Sequence, residues 1–301
     1  MVTTRGWTLG LAALVAAFFT TQSALARCAD FTPGQKPQNV GRDIVGQELD
    51  VIQDRGFIEI AVYEDFPPYS FKEKGKARGI DVDIGHLIAA DLGVKARFNF
   101  IASGENLDAD LRNYVWKGPL IGGRVSNIMM RVPYDSEFAC RVEQVVFTGQ
   151  YHNESIAIAY DQKTYNETPP VPAYFRFDPV AVENDSISDF YLSSFAGGQL
   201  SQKVTRHTTT QEAMKALASG AVPAAMGPRS ELEYGLTDKS AVHEPPLPGF
   251  AKSKWTIGLA VNFRYRPLAY AVDDAVRYAL DDGRIKAIFE KYGVNFTPPT
   301  R

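Results

Sequence analysis

Apolar positions along the chain fall into two rhythms, short continuous runs and stretches with helical spacing. The run FIEIAVY at 57–63 reads as a buried strand, and DFPPY at 65–69 follows it. Proline fixes φ and has no N–H to donate, so this breaker is a loop at a strand end rather than helix or central strand. GIDVDIGHLIAADLG at 79–93 has helical spacing, with Asp81 or Asp83 available as cap and Gly93 as terminator. KARFNFI at 95–101 alternates as a second strand. Strand, helix, strand in that order predicts a mostly parallel sheet with helices on its faces. The pattern returns as strand 178–183, helix 187–195 capped from Asn184-Asp185-Ser186, strand 203–208, helix 211–219 and strand 222–226. The stretch 164–177, rich in proline and aromatics, separates the two sets, so the second reads as another lobe. After the proline-rich 245–249, strand 255–262 and helices 268–280 and 285–292 complete the chain, with breaks at Asp281-Asp282-Gly283 and Gly293.

The first residues belong to a different pattern. Arg5 precedes the apolar run Leu9–Phe19, and Ala24-Leu25-Ala26 supplies a small-x-small cleavage site. This predicts an export signal over 1–26, cut after Ala26, because the run is too short to span a bilayer. Arg27 stands before Cys28, where a lipid-anchoring signal needs a small residue, so no lipid anchor is expected. Residues 27–45 read as an irregular arm.

The formal charge is −3 with 22% charged residues, and removal of Arg5 makes it one unit more negative. No basic block points to nucleic acid. The two cysteines, Cys28 and Cys140, survive cleavage; in an oxidising compartment they read as one disulfide, the alternative being two separate thiols. The histidines at 86, 152, 207 and 243 lack metal-ligand spacing, and no metal or cofactor is expected. G-x-S-x-G, P-loop and G-x-G-x-x-G motifs are absent, so no catalytic centre is recognisable. No two carboxylates are forced together by spacing; Glu64 and Asp65 are the acids that a cleft enzyme on such a fold would use.

FIEIAVYEDFPPYSF followed by GIDVDIGHLIAADLGVKARF resembles the opening of the family 3 periplasmic solute-binding proteins. The resemblance continues through Arg141 in RVEQVVFTGQY, VAVENDSISDFYL, QEAMKALASGAVPAAM, WTIGLAVN and DDGRIKAIFEKYG, nearly the whole mature chain. It implies a two-lobed α/β fold of periplasmic binding protein type II. Lobe 1 would take 46–152 and 255–301, lobe 2 would take 153–254, and two crossovers would form the hinge. In amino-acid binders of the family an arginine takes the ligand carboxylate and an acid in lobe 2 takes the ammonium. Arg141 matches the first position; the second falls on Pro228, followed by Arg229. An unpaired buried ammonium costs several kcal/mol, so an α-amino acid ligand is not expected.

The segment VWKGPLIGGRVSNIMMRVPYDSEFACRVEQVVFTGQYHNE is similar to the binding-protein-like J components encoded with pyrroloquinoline-quinone (PQQ) methanol dehydrogenases, MoxJ and XoxJ. That likeness implies a periplasmic accessory role toward the large subunit of a quinoprotein methanol dehydrogenase, the alternative being the binding component of an ABC transporter for a small solute that is not a standard amino acid.

Candidate cleft residues are Tyr63, Asp65, Phe66, Pro67, Pro68 and Tyr69, with Trp116, Arg141, Asp185, Ser186 and Arg229. Each has a plainer reading. Phe66 and Tyr69 suit a core at a strand end, and Trp116 suits either a partner surface or a core. Arg141 suits either an anionic ligand or a surface pair with Asp135, Glu137 or Glu143. Asp185 and Ser186 suit an anion site at a helix start or a simple cap.

Overall fold

The structure is a computed structural model that describes residues 47–121, 124–166 and 168–300. The expected signal, the arm and Cys28 lie outside the described residues, and among those described no cysteine is free.

The described residues open with α1 (Leu49–Arg55), β1 (Phe57–Tyr63), a hairpin of β2 (Phe71–Glu73) and β3 (Lys76–Arg78), α2 (Ile80–Asp91) and β4 (Lys95–Ile101). Then come α3 (Leu107–Leu111), continued as a π-helical turn over Arg112–Trp116, β5 (Ile128–Tyr134) and α4 (Ser136–Arg141). Strand β6 (Val145–Asp161) carries the chain into the second lobe. That lobe holds β7 (Val180–Glu183), α5 (Ile187–Ser194), β8 (Val204–His207), α6 (Thr210–Ala218), β9 (Ala224–Pro228), α7 (Arg229–Tyr234) and β10 (Ser240–His243). Strand β11 (Lys254–Asn262) returns to the first lobe, which α8 (Arg266–Asp281) and α9 (Arg284–Lys291) complete.

The strands lie in the order β4-β1-β5-β11-β6-β9-β7-β8, with β10 also on β6. β1 runs parallel to β4 and β5, and β7 runs parallel to β8 and β9. The antiparallel pairings of this sheet are those made by β11 and β6. β6 pairs with β11 from Val145 to Ser155 and with β9 from Ile156 to Tyr160, so one unbroken strand belongs to both lobes.

Helices cover both faces of each half. In lobe 1 the larger core packs Ile52, Ile60, Ile84, Val272 and Phe289 under α1, α2, α8 and α9. The opposite face buries Leu111, Val115, Met129 and Val142. In lobe 2, Phe175, Val180 and Leu192 pack on one face, and Met214, Leu217 and Leu232 from α6 and α7 on the other. α8 forms because Leu268, Val272, Ala275, Val276 and Ala279 share a stripe, and all are buried. Burying each Val or Leu contributes about 1.5–3 kcal/mol. α2 ends as its glycine predicts: Gly93 takes φ 74 and Val94 N–H donates to the Ala89 carbonyl over 2.9 Å.

Two expectations are corrected. Neither Asp81 nor Asp83 caps α2; the position is Gly79, and Asp81 is fully buried inside the first turn. Strand β9 begins two residues later than expected, after Pro223, which cannot donate to a ladder. The segment around 112–138 also contributes β5, a strand next to β11 near the middle of the sheet.

Candidate functional site at the seam between the lobes

The loop after β1 is fixed by its neighbours. Ile80 N–H donates to the Pro68 carbonyl and Asp81 N–H to the Tyr69 carbonyl, each over 2.9 Å. These are the first donors of α2, which have no partner within the helix, so the loop satisfies them. Ser70 Oγ donates to the Tyr63 carbonyl over 2.6 Å. Phe66 and Tyr69 are thereby held at the seam, half-buried and fully buried.

Between them lies Arg131 of β5. Its guanidinium carbon sits 3.9 Å from the Phe66 ring centre and 4.1 Å from that of Tyr69. Its Nη2 donates over 2.9 Å to Glu231 Oε1 on α7, and the two side chains are 11% and 5% exposed. A lobe 1 cation thus meets a lobe 2 carboxylate in a nearly dry site. Burial alone disfavours the Arg131 charge, and the Glu231 carboxylate beside it holds that charge in place. Other contacts cross the same seam. Gln211 Nε2 reaches the Glu231 carbonyl at 2.9 Å and the Pro67 carbonyl at 3.5 Å. Phe71 meets the Tyr234 ring, centroids 6.2 Å apart, and Asn295 donates to both oxygens of Glu233.

Further buried acids stand behind the pair. Tyr69 Oη donates to Glu154 Oε2 over 2.8 Å, and Tyr151 Oη to Asp81 Oδ1 over 2.6 Å. Burial pushes Asp81 up to about 7, and pushes Glu154 and Glu231 up as well. His152 on β6 is driven the other way, down to about 3, by burial. Its ring therefore stays neutral, and Thr297 N–H donating to Nδ1 leaves Nε2 to donate to Ser230 Oγ at 3.2 Å.

These shifts set a sign for pH dependence. The folded protein keeps the Asp81 proton after the unfolded chain has lost it, so this group's contribution to stability falls as pH rises from about 4 to about 7. His152 contributes oppositely, losing stability as pH drops below 6.5, and cancels in a comparison at one site. Asp81→Asn keeps an oxygen for Tyr151 and removes the titration. Wild type is expected to lose about 3 kcal/mol relative to this variant between pH 5 and pH 8, read by urea unfolding at both values. A constant difference would mean that Asp81 ionises freely in the folded protein.

The residues singled out from sequence are only partly brought together. Phe66 and Tyr69 hold Arg131, and Pro67 meets Gln211. Tyr63 lies beside Phe66, its phenol donating to Asp110 over 2.8 Å. Asp65 is exposed with φ 49, and Glu64 is exposed beside it. Trp116 packs on the second lobe 1 core with Nε1 buried and unpartnered. Arg141 is exposed at the end of α4, its guanidinium 5.7 Å from the Phe138 ring, while Asp135 pairs with Lys252. Ser186 caps α5 by accepting from Asp189 N–H over 3.2 Å, with Asp185 exposed before it at φ 57. Arg229 is held by Glu233 and Glu244 at 2.7 and 2.6 Å.

Sequence reasoning missed Arg131, Glu231, Glu154, Asp81, Tyr151 and His152. A signal existed for some: Arg131 is the one charge in IMMRVPY, and Asp81 sits at an apolar helix position. Nothing in spacing joins Arg131 to Glu231, a hundred residues away. Among the described residues, no group of three or more His, Cys, Asp or Glu is arranged to hold a metal, and no helix is long and apolar enough to cross a membrane.

A two-lobed α/β molecule with a shared strand and a polar seam has the architecture of a type II periplasmic binding protein. Residues 58–113 match the family described as bacterial extracellular solute-binding proteins, family 3. An ancestral cationic amino acid solute-binding protein superimposes with TM-score 0.67 at 20% identity, covering 81% of this chain and 99% of that one. The same ancestral protein, in a structure describing it as a precursor of cyclohexadienyl dehydratase, gives 0.58 at 21%, covering 81% and 99%. An amino acid ABC transporter substrate-binding protein from Streptococcus pneumoniae bound to L-arginine gives 0.58 at 20%, covering 82% and 98%. No curated protein matches the sequence.

Proposed function

We propose that this chain is a periplasmic, binding-protein-like accessory factor that engages the large subunit of a PQQ-dependent methanol dehydrogenase and helps it mature or become active. The observation that carries this reading is the state of the two clamp positions. Arg141, matched to the carboxylate-binding arginine, is exposed on α4. Pro228, matched to the ammonium-binding acid, has no charge, and Arg229 after it is occupied by Glu233 and Glu244. The two matched positions therefore meet neither end of an α-amino acid's zwitterion, and the Arg131–Glu231 pair at the seam is already satisfied within itself. The similarity of 115–154 to the J components favours a protein partner, as do Leu120 and Ile121 in that segment, 88% and 94% exposed. Export over 1–26 and a Cys28–Cys140 bridge belong to the same reading, because the proposed partner works in an oxidising compartment.

A second reading, a solute carrier for an ABC transporter, is favoured by the arginine-binding and cationic amino acid-binding proteins that share the fold. One experiment separates them: the mature, tagged protein is recovered from periplasm of methanol-grown cells and its companions are identified by mass spectrometry. A dehydrogenase large subunit is expected, without a stoichiometric small molecule. A retained small molecule without dehydrogenase would return the chain to solute transport.

A further inference from the structure

Arg131 has the surroundings of a bound ligand rather than of a surface side chain. Its guanidinium is sandwiched by Phe66 and Tyr69 from the loop after β1 and salt-bridged to Glu231 from the other lobe. Glu154, on the strand shared by both lobes, is the acid that accepts from Tyr69. A planar cation between two ring faces with a carboxylate at its edge is the arrangement by which proteins recognise free guanidinium compounds.

The backbone is bent to deliver this side chain. Arg131 has φ 59, a left-handed conformation that costs a non-glycine residue about 1–2 kcal/mol. The register of β5 against β11 slips between Val132 and Met129, at Met130–Arg131. A bulge of this kind re-aims a side chain that a regular strand would send elsewhere. The distortion falls on the one residue of β5 that reaches the second lobe's acid.

We propose that Arg131 is the resident ligand of this cleft, a guanidinium tethered to lobe 1 on which lobe 2 has closed. The cleft is a cation site in chemistry, and the chain fills it itself. A chain that lacks the side chain then takes a free guanidinium compound in its place. This goes beyond the accessory role and stands whether or not a dehydrogenase is the partner.

Arg131→Gly is the direct test, since glycine adopts φ 59 freely and leaves the sandwich empty. The probe is ethylguanidinium chloride at low millimolar concentration, against sodium chloride at matched ionic strength, read as the thermal midpoint. Arg131→Gly is expected to gain about 3 °C or more in a saturable way, and wild type nothing, because only the variant has the site open. The double variant Arg131→Gly/Glu231→Gln is expected to lose the gain. No saturable response in folded Arg131→Gly, or an equal response in wild type, overturns the proposal. If Arg131→Gly does not fold unaided, refolding yield is compared in the two salts. Recovery with ethylguanidinium alone supports the proposal; equal recovery, or none in either, overturns it.

Discussion

Glu231→Ala is expected to lower the unfolding free energy by about 3–5 kcal/mol, because it leaves the Arg131 charge buried without its carboxylate. The Coulomb attraction lost is only part of this. The larger part is the desolvation of a guanidinium that keeps two aromatic faces and loses its carboxylate partner. Replacing both members with apolar residues, as in Arg131→Met/Glu231→Leu, removes the desolvation along with the attraction. That double variant is expected within about 1 kcal/mol of wild type, or above it. Urea unfolding of the single and double variants closes the cycle. A single variant as stable as wild type would mean that water reaches Arg131 freely, and the seam would then be an open groove.

The second large effect falls where the seam loop meets α2. Gly79 has φ 124, and a Cβ there would lie 2.2 Å from the Tyr69 carbonyl oxygen. That carbonyl accepts from Asp81 N–H and cannot yield without breaking the helix start. Gly79→Ala is expected to cost about 4 kcal/mol or more, in the range of the most damaging single substitutions. Gly56→Ala supplies the contrast. Gly56 has φ 76 with nothing within 4 Å of its Cβ position, so only the backbone conformation is strained, at about 1 kcal/mol. Thermal midpoints of the two variants separate steric conflict from conformational preference. Equal losses would mean that the loop shifts away from α2 without difficulty.

The regular elements were legible in the sequence because they obey local rules. The strand at 57–63 and the helices near 268–280 and 285–292 follow from periodicity and breakers, and the structure places them within a few residues. β9 was misjudged by two residues because apolar content alone cannot say on which side of Pro223 pairing starts. The seam was half legible. Phe66, Pro67 and Tyr69 stand out through the double proline between aromatics. Glu154 and Glu231 do not, since each sits in an ordinary local context, and Arg131, though a lone charge in an apolar run, acquires its meaning only when β5, β6 and α7 converge. Asp81 looked like a cap because caps are what aspartates usually are at helix starts. Gly79 took that position, and Tyr151 supplied the donor that makes a buried carboxyl tolerable.

The connectivity has a consequence for the chain before it is folded. β11 lies between β5 and β6, yet its residues come more than ninety positions after β6 ends. As the chain is synthesised, once residue 243 has emerged, every strand of the second lobe is present, while the first lobe still lacks its middle strand. β5 and the first part of β6 then present bare, largely apolar edges, the kind that pair with strands of other chains. The second lobe is thus the half that can nucleate alone, and arrival of residues 254–262 both closes the first lobe and retires its two vulnerable edges.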